Sequence, residues 1–190
     1  MKELVLASNN LHKIEEIRSI LTDYKILSLN DIGFNFEIDE DQDTFEGNAE
    51  KKAYTIYKYC NKPTIADDSG LCVDKLSGEP GVYSARYSST GKDYDNIQKV
   101  LKKLNGEEST ARFISVISYV NENGEVFNFR GEIEGKIINE LRGNNGFGYD
   151  PIFYVEDYKK TFAELTSEEK NKISHRNRAL QKFYDYLKEI

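Results

Sequence analysis

The stretch Asp67-Asp68-Ser69-Gly70 sets two carboxylates, a hydroxyl and a glycine directly after the short apolar run Pro63-Thr64-Ile65-Ala66. The run reads as a strand, and successive strand residues face opposite ways. One of Asp67 and Asp68 can therefore enter a cleft while the other supports the loop. Carboxylates in such a place suit Mg²⁺ or a base that activates water. The same four residues also fit an acidic turn that simply ends the strand.

Cationic residues stand at two helix starts. Ser8-Asn9-Asn10-Leu11-His12-Lys13 opens the first helix. Ser and Asn are natural caps, but a helix N-terminus carries partial positive charge and favours acids. Lys13 there fits an anion: with free N–H groups and two amide side chains it forms a phosphate cradle. A tolerated surface lysine is the alternative. The last helix repeats the pattern, with Ser174 as cap, His175, Arg176 and Arg178 behind it, and Lys170 and Lys172 just before. These cations call for an acceptor-rich partner. It can be a phosphate, the O6/N7 edge of an oxopurine, which arginine reads bidentately, or a carboxylate of the protein itself.

Gly146-Phe147-Gly148-Tyr149-Asp150-Pro151 places two aromatics among glycines. Glycine lets backbone approach a ligand closely, and Phe147 or Tyr149 could stack on a base or close the core. Glu40 lies in the acidic run Asp39-Glu40-Asp41, a pattern usual for a solvated loop. Lys52 is a lone charge on an amphipathic helix, where an exposed lysine is ordinary.

These residues must be positioned by alternating strands and helices. Leu4 to Ala7 reads as a buried parallel strand, and Ile14, Ile17, Ile20 and Leu21 recur at helical spacing. Ile26 to Leu29 is a second strand. Asp43 caps a helix with Glu46 reaching back, and Phe45, Ala49, Ala53, Ile56, Tyr57 and Cys60 form its inner face. Thr64 to Ala66 and Leu71 to Val73 read as strands flanking the Asp-Asp-Ser-Gly turn. Residues 77–92 form a loop, and Asp93 to Leu104 a helix. Phe113 to Val120 and Val126 to Ile138 are strands joined at Asn121-Glu122-Asn123-Gly124. Thr166-Ser167-Glu168-Glu169 is a capping box. The last helix buries Leu180, Phe183, Tyr184 and Leu187. The fold class is α/β, and 190 residues without a linker imply one domain over 1–190.

Charged residues are 31% and hydrophobic residues 38% of the chain, and the net charge is −7. That balance opposes a nucleic-acid or membrane-surface partner, since both need a basic footprint. A small anion needs only a local cluster of cations. Cys60 and Cys72 lack metal-ligand spacing, and with two histidines a zinc site is not expected. They read as free thiols of a reducing compartment, and the apolar start is too short for a signal peptide or a membrane span. The chain is expected to be cytoplasmic.

Two cationic helix starts, a carboxylate set and an aromatic glycine loop together suit a triphosphate. The chain resembles the inosine triphosphate pyrophosphatase family, also called XTP/dITP diphosphatases. The resemblance covers nearly the whole chain. It rests on the 8–13, 67–70 and 146–151 motifs, on Thr44-Phe45-Glu46-Gly47-Asn48-Ala49, on Pro80-Gly81-Val82-Tyr83-Ser84-Ala85-Arg86-Tyr87, and on Glu169 to Arg176. The resemblance implies an elongated mixed-sheet α/β fold with two lobes flanking a central substrate cleft, and a homodimer. It implies Mg²⁺-dependent cleavage of a purine nucleoside triphosphate such as ITP, dITP or XTP into monophosphate and pyrophosphate. Carried onto this chain, Ser8, Asn9, Asn10, Leu11, His12 and Lys13 would hold phosphates, and Lys52 would face them. Glu40 and Asp68 would bind Mg²⁺, Asp68 would also be the base for water, and Ser69 would contact substrate. Phe147, Gly148, Tyr149 and Asp150 would line the base and sugar pocket, and Lys170, His175 and Arg176 would contact the base. The first motif departs from the common family form at Asn9, where glycine is usual, and at His12.

Three other readings compete. A related pyrophosphatase could act on pyrimidine or modified nucleotides. A nucleotide-binding module without catalysis would have no need of Asp68, Lys13 and Lys52 together. A structural protein would use its glycine loops only as turns and leaves the helix-start cations unexplained.

Overall fold

The computed structural model describes residues 2–189. The elements are β1 (Lys2–Leu6), α1 (Leu11–Ile20), β2 (Tyr24–Leu27), α2 (Phe45–Cys60), β3 (Thr64–Val73), α3 (Asp93–Leu104), β4 (Ser109–Val120), β5 (Val126–Ile137), β6 (Phe153–Val155), β7 (Lys160–Thr161), α4 (Ser167–Ile173) and α5 (His175–Glu189). The strands form one sheet in the order β2-β1-β3-β4-β5-β6-β7. β1 is parallel to β2, with Lys2 opposite Tyr24, and parallel to β3, with Val5 opposite Thr64. β6 is antiparallel to β5 and to β7. The sheet is therefore mixed and the class is α/β, as the sequence implies.

The chain divides into two compact units. The first takes in the chain up to Asp68, Ser115–Gly131 and the chain from Arg176; the second takes in Ser69–Ile114 and Glu132–His175. In the first unit, Leu4, Val5 and Leu6 are all buried, as expected of a parallel strand covered on both faces. Leu4 and Leu6 pack with Ile14 and Ile17 of α1 and with Leu180 and Phe183 of α5. Val5 lies with Ala53 and Ile56 of α2 in a second cluster. In the second unit, Ile97, Val100 and Leu104 recur on one face of α3 and join a core built around Phe113, Phe153 and Phe162. The rings of Phe113 and Phe153 lie 4.5 Å apart and those of Phe153 and Phe162 5.0 Å apart.

Several local expectations are corrected. Asp67 to Gly70 is not a turn: β3 runs unbroken from Thr64 to Val73. β3 lies between β1 and β4, where neighbouring strands can satisfy its backbone even under polar side chains. Thr44, not Asp43, caps α2, with its hydroxyl accepting the Gly47 N–H at 3.0 Å. Glu46 turns instead to Arg130, at 2.8 Å. The loop over 77–92 contains a 3-10 segment at Gly81–Arg86. Tyr57, Cys60, Tyr184 and Leu187 are half-buried rather than buried. β6 and β7 are too short to leave a period-two pattern in the sequence.

Candidate active site

Asp67 and Asp68 are both buried, at 1% and 4% exposure, and as neighbours on a strand they meet different partners. Asp67 Oδ1 accepts from the Ser115 hydroxyl at 2.6 Å and from Arg176 Nε at 3.3 Å. Its Oδ2 lies 2.7 Å from Lys13 Nζ and 3.4 Å from Arg176 Nη2. Arg176 also pairs with Glu16 through Nη1. Lys13, Asp67, Arg176 and Glu16 thus alternate in charge and sum to zero. Complete burial acts to raise the Asp67 pKa, but Arg176 and Lys13 hold it well below the usual carboxylate range. Asp67 is ionised and occupied.

Asp68 is placed otherwise. Lys52, 8% exposed on α2, donates to Asp68 Oδ1 at 3.2 Å, to Glu40 Oε1 at 2.9 Å and to the Asp67 carbonyl at 2.9 Å. One ammonium thus bridges two carboxylates. Asp68 Oδ2 is buried and has no hydrogen-bond partner. Burial pushes the Asp68 carboxyl above its ordinary value against the pull of Lys52 and Lys13, and Glu40 and Asp67 add to the rise. Burial acts to lower Lys52, but Asp68 and Glu40 keep it above its usual value and so charged. An unpaired oxygen on a carboxylate of raised pKa, next to a second carboxylate, suits a proton acceptor or a hard cation. Among the described residues no three His, Cys, Asp or Glu side chains are grouped to cage a metal.

The loop before α1 is built as an anchored cap. Asn10 is the N-cap, its side chain accepting the Lys13 N–H at 3.2 Å. Ser8 Oγ accepts the Asn10 N–H at 3.0 Å, and Asn9 Oδ1 accepts the Asn30 N–H at 3.2 Å. Asn9, Asn10, Leu11 and His12 are exposed, and the first turn of α1 carries no acid. Lys13 is tied to Asp67 rather than extended into solvent.

In the second unit the 146–150 segment is a tight loop. Gly146 and Gly148 have φ of +72° and +62°, a region that other residues enter at a cost. A Cβ on Gly146 would also collide with the Asp150 carboxylate. Asp150, 3% exposed, accepts the Phe147 N–H at 3.1 Å and pairs with Lys170 Nζ at 2.7 Å. That ammonium sits 4.7 Å from the Phe147 ring centroid. Phe147 and Gly148 are half-buried, whereas Tyr149 is buried and its hydroxyl donates to the Ser84 carbonyl at 2.6 Å. A cleft of about 420 Å³ beside the loop is lined by Asp93, Tyr94, Leu141, Asn145, Phe147 and Gly148 among others.

The expected base contacts are held by the protein itself. Lys170, His175 and Arg176 are 4%, 5% and 1% exposed. Lys170 is bound to Asp150, and His175 stacks on Phe113 with ring centroids 4.8 Å apart. Arg176 has the carboxylate partners that the sequence left open as an alternative. Tyr149 belongs to the core. Ser69 is half-buried and follows Asp68 on β3. Sequence reasoning missed Glu16 and Ser115. Glu16 lies three residues after Lys13, a spacing that shares a helix face. Ser115 is one of two serines, with Ser118, within the apolar run of β4.

The sequence model of the Ham1 family matches residues 4–186. Proteins named dITP/XTP pyrophosphatase from Clostridium perfringens and Bacillus subtilis are each 50% identical to this chain. The matches cover 100% of the chain and 99% of the relative in the first, and 98% of both in the second. The solved structure of the Staphylococcus aureus Ham1 protein superposes with a TM-score of 0.90 at 43% identity, covering 99% of each chain. A HAM1 protein from Coxiella burnetii gives 0.91 at 41% identity over 100% of each. These matches define a hydrolase of nucleoside triphosphates. The chain belongs to the Ham1 family.

Proposed function

We infer that this chain hydrolyses non-canonical purine nucleoside triphosphates, of the ITP, dITP and XTP type, to the monophosphate and pyrophosphate, and so clears them from the nucleotide pool. The observation that carries the reading is Asp68: Lys52 fixes one oxygen, and the other is buried, unpaired and basic. The names of the relatives supply the substrate class. No helix among the described residues is long and apolar enough to cross a membrane. Work in the cytoplasm as a homodimer is part of the proposal.

The chemistry follows from the cluster. Asp68 Oδ2 takes a proton from a water molecule as its oxygen bonds to the α-phosphorus; the α–β bridging bond breaks and its electrons leave with pyrophosphate. Lys52 keeps the Asp68 plane fixed, so the base needs little reorganisation. Glu40 and Asp68 would hold Mg²⁺, which supplies charge neutralisation on the phosphate oxygens. Lys13 would bind phosphate beside the cap of α1, with Asp67 as its anchor. Phe147 offers a face for the base, with the cation of Lys170 over its ring. A protein donor that met a 6-keto oxygen would be left unpaired by an adenine amino group, which would penalise ATP.

Product analysis with ITP, XTP, GTP and ATP in the presence of Mg²⁺ tests the reading. Monophosphate and pyrophosphate are expected from ITP and XTP, with ATP much slower. Orthophosphate with a nucleoside diphosphate would overturn cleavage at the α–β bond.

A further inference from the structure

We propose that Asp93 is a positioning residue for base recognition: it anchors the backbone of the 146–150 loop so that Phe147 is presented in one place. The proposal deepens the functional reading above and rests on it for the role of Phe147. Phe147 stands between two glycines of positive φ, so the chain on either side has little intrinsic preference for one shape. Two consecutive amides are nevertheless pinned by carboxylates. The Phe147 N–H donates to Asp150 Oδ2 at 3.1 Å, within the loop, and the Gly148 N–H donates to Asp93 Oδ2 at 2.8 Å. Asp93 comes from outside the loop, as the first residue of α3.

An acid in that place could have served its own helix. Lys92 at the α3 cap makes no side-chain cap bond, yet the Asp93 carboxylate reaches to the loop. α3 is a firm support for it. Asn96, 3% exposed, accepts the Ser88 N–H at 2.7 Å and donates to the Ala85 carbonyl at 3.2 Å. It also donates to the Ser84 carbonyl at 3.4 Å, which takes the Tyr149 hydroxyl at 2.6 Å. The start of α3, the 84–88 segment and the aromatic loop are thus one hydrogen-bonded frame. Asp93 is an exposed link in that frame, so it can be changed without opening the core.

Three measurements on the wild type, Asp93→Ala and Asp93→Asn test the role: steady-state turnover of ITP with Mg²⁺, inhibition by tripolyphosphate, and hydrogen exchange at the Gly148 amide. Asp93→Ala is expected to raise KM for ITP about tenfold, roughly the worth of one hydrogen bond to a charged acceptor. Its kcat should stay within about twofold, the pattern of lost binding rather than lost chemistry. Inhibition by tripolyphosphate, which has no base, should not change, and the Gly148 amide should exchange faster. Asp93→Asn keeps an oxygen acceptor and should restore most of the KM. A wild-type KM in Asp93→Ala, or equal weakening of ITP and tripolyphosphate, would overturn the proposal. If the wild type leaves ITP intact, the functional reading has failed. Exchange at Gly148 then judges the anchor alone, and an unchanged rate in Asp93→Ala would refute it.

Discussion

Lys52 donates to one oxygen of Asp68 at 3.2 Å while the other oxygen, itself buried, has no hydrogen-bond partner. The pair divides one carboxylate into an anchored atom and one without a hydrogen-bond partner. Asp67, one residue earlier on the same strand, has partners on both oxygens. Two adjacent aspartates thus meet different surroundings.

Asp68→Asn should lower kcat by about 10²–10⁴-fold, the usual loss when a general base is removed. It should not destabilise the fold. A carboxylate of raised pKa binds more protons folded than unfolded, so its ionisation weakens the fold as pH rises from the unfolded pKa through the folded one. Kinetics and a denaturation curve at neutral pH check both parts, and a lowered midpoint would contradict the assignment.

Asp67→Ala should act mainly on stability. It leaves the buried Arg176 without its Asp67 partner, and breaking a buried pair typically costs about 3–5 kcal/mol. The sign with pH is opposite to that of Asp68. The depressed pKa of Asp67 contributes stability that is present above the ordinary carboxylate pKa and is lost as pH falls through the folded value. Urea unfolding of wild type and variant at neutral pH and at acid pH should show the gap between them narrowing in acid.

The acid limb of the kcat/KM profile should lie above the pKa of about 3.9 of an ordinary aspartate, because Asp68 must be ionised to accept a proton. Lys52→Gln removes a cation that favours that ionised form. It should move the limb to higher pH as well as lowering the plateau. A limb that stays in place would show that another group controls the rate.

Mg²⁺ should raise the melting temperature of the wild-type protein by mass action, without any substrate. Glu40→Gln and Asp68→Asn should each weaken that shift, whereas Asp93→Ala should leave it intact. Chelation should stop turnover, and added Mg²⁺ should restore it. Equal shifts in all four proteins would place the metal elsewhere.

The sequence by itself determined the α/β class, because the periods of Leu4 to Leu6, of Ile14 and Ile17, and of Ile97, Val100 and Leu104 are local signals. It also singled out Asp68, the cationic helix starts and the glycine loop, because unusual residue types in costly places show without coordinates. Tertiary structure decided what those residues touch. Asp-Asp-Ser-Gly looks like a turn in one dimension and is a strand interior, because β1 and β4 flank it. Lys52 looks like any exposed helix lysine, and only the placement of Glu40 and Asp68 around its ammonium gives it a role. The sequence leaves Arg176 open to a ligand or to a protein carboxylate, and Glu16 and Asp67 meet it from positions 160 and 109 residues away. Charge pairing over such separations leaves no periodic trace in a single sequence, since it depends on how the elements pack rather than on neighbours along the chain.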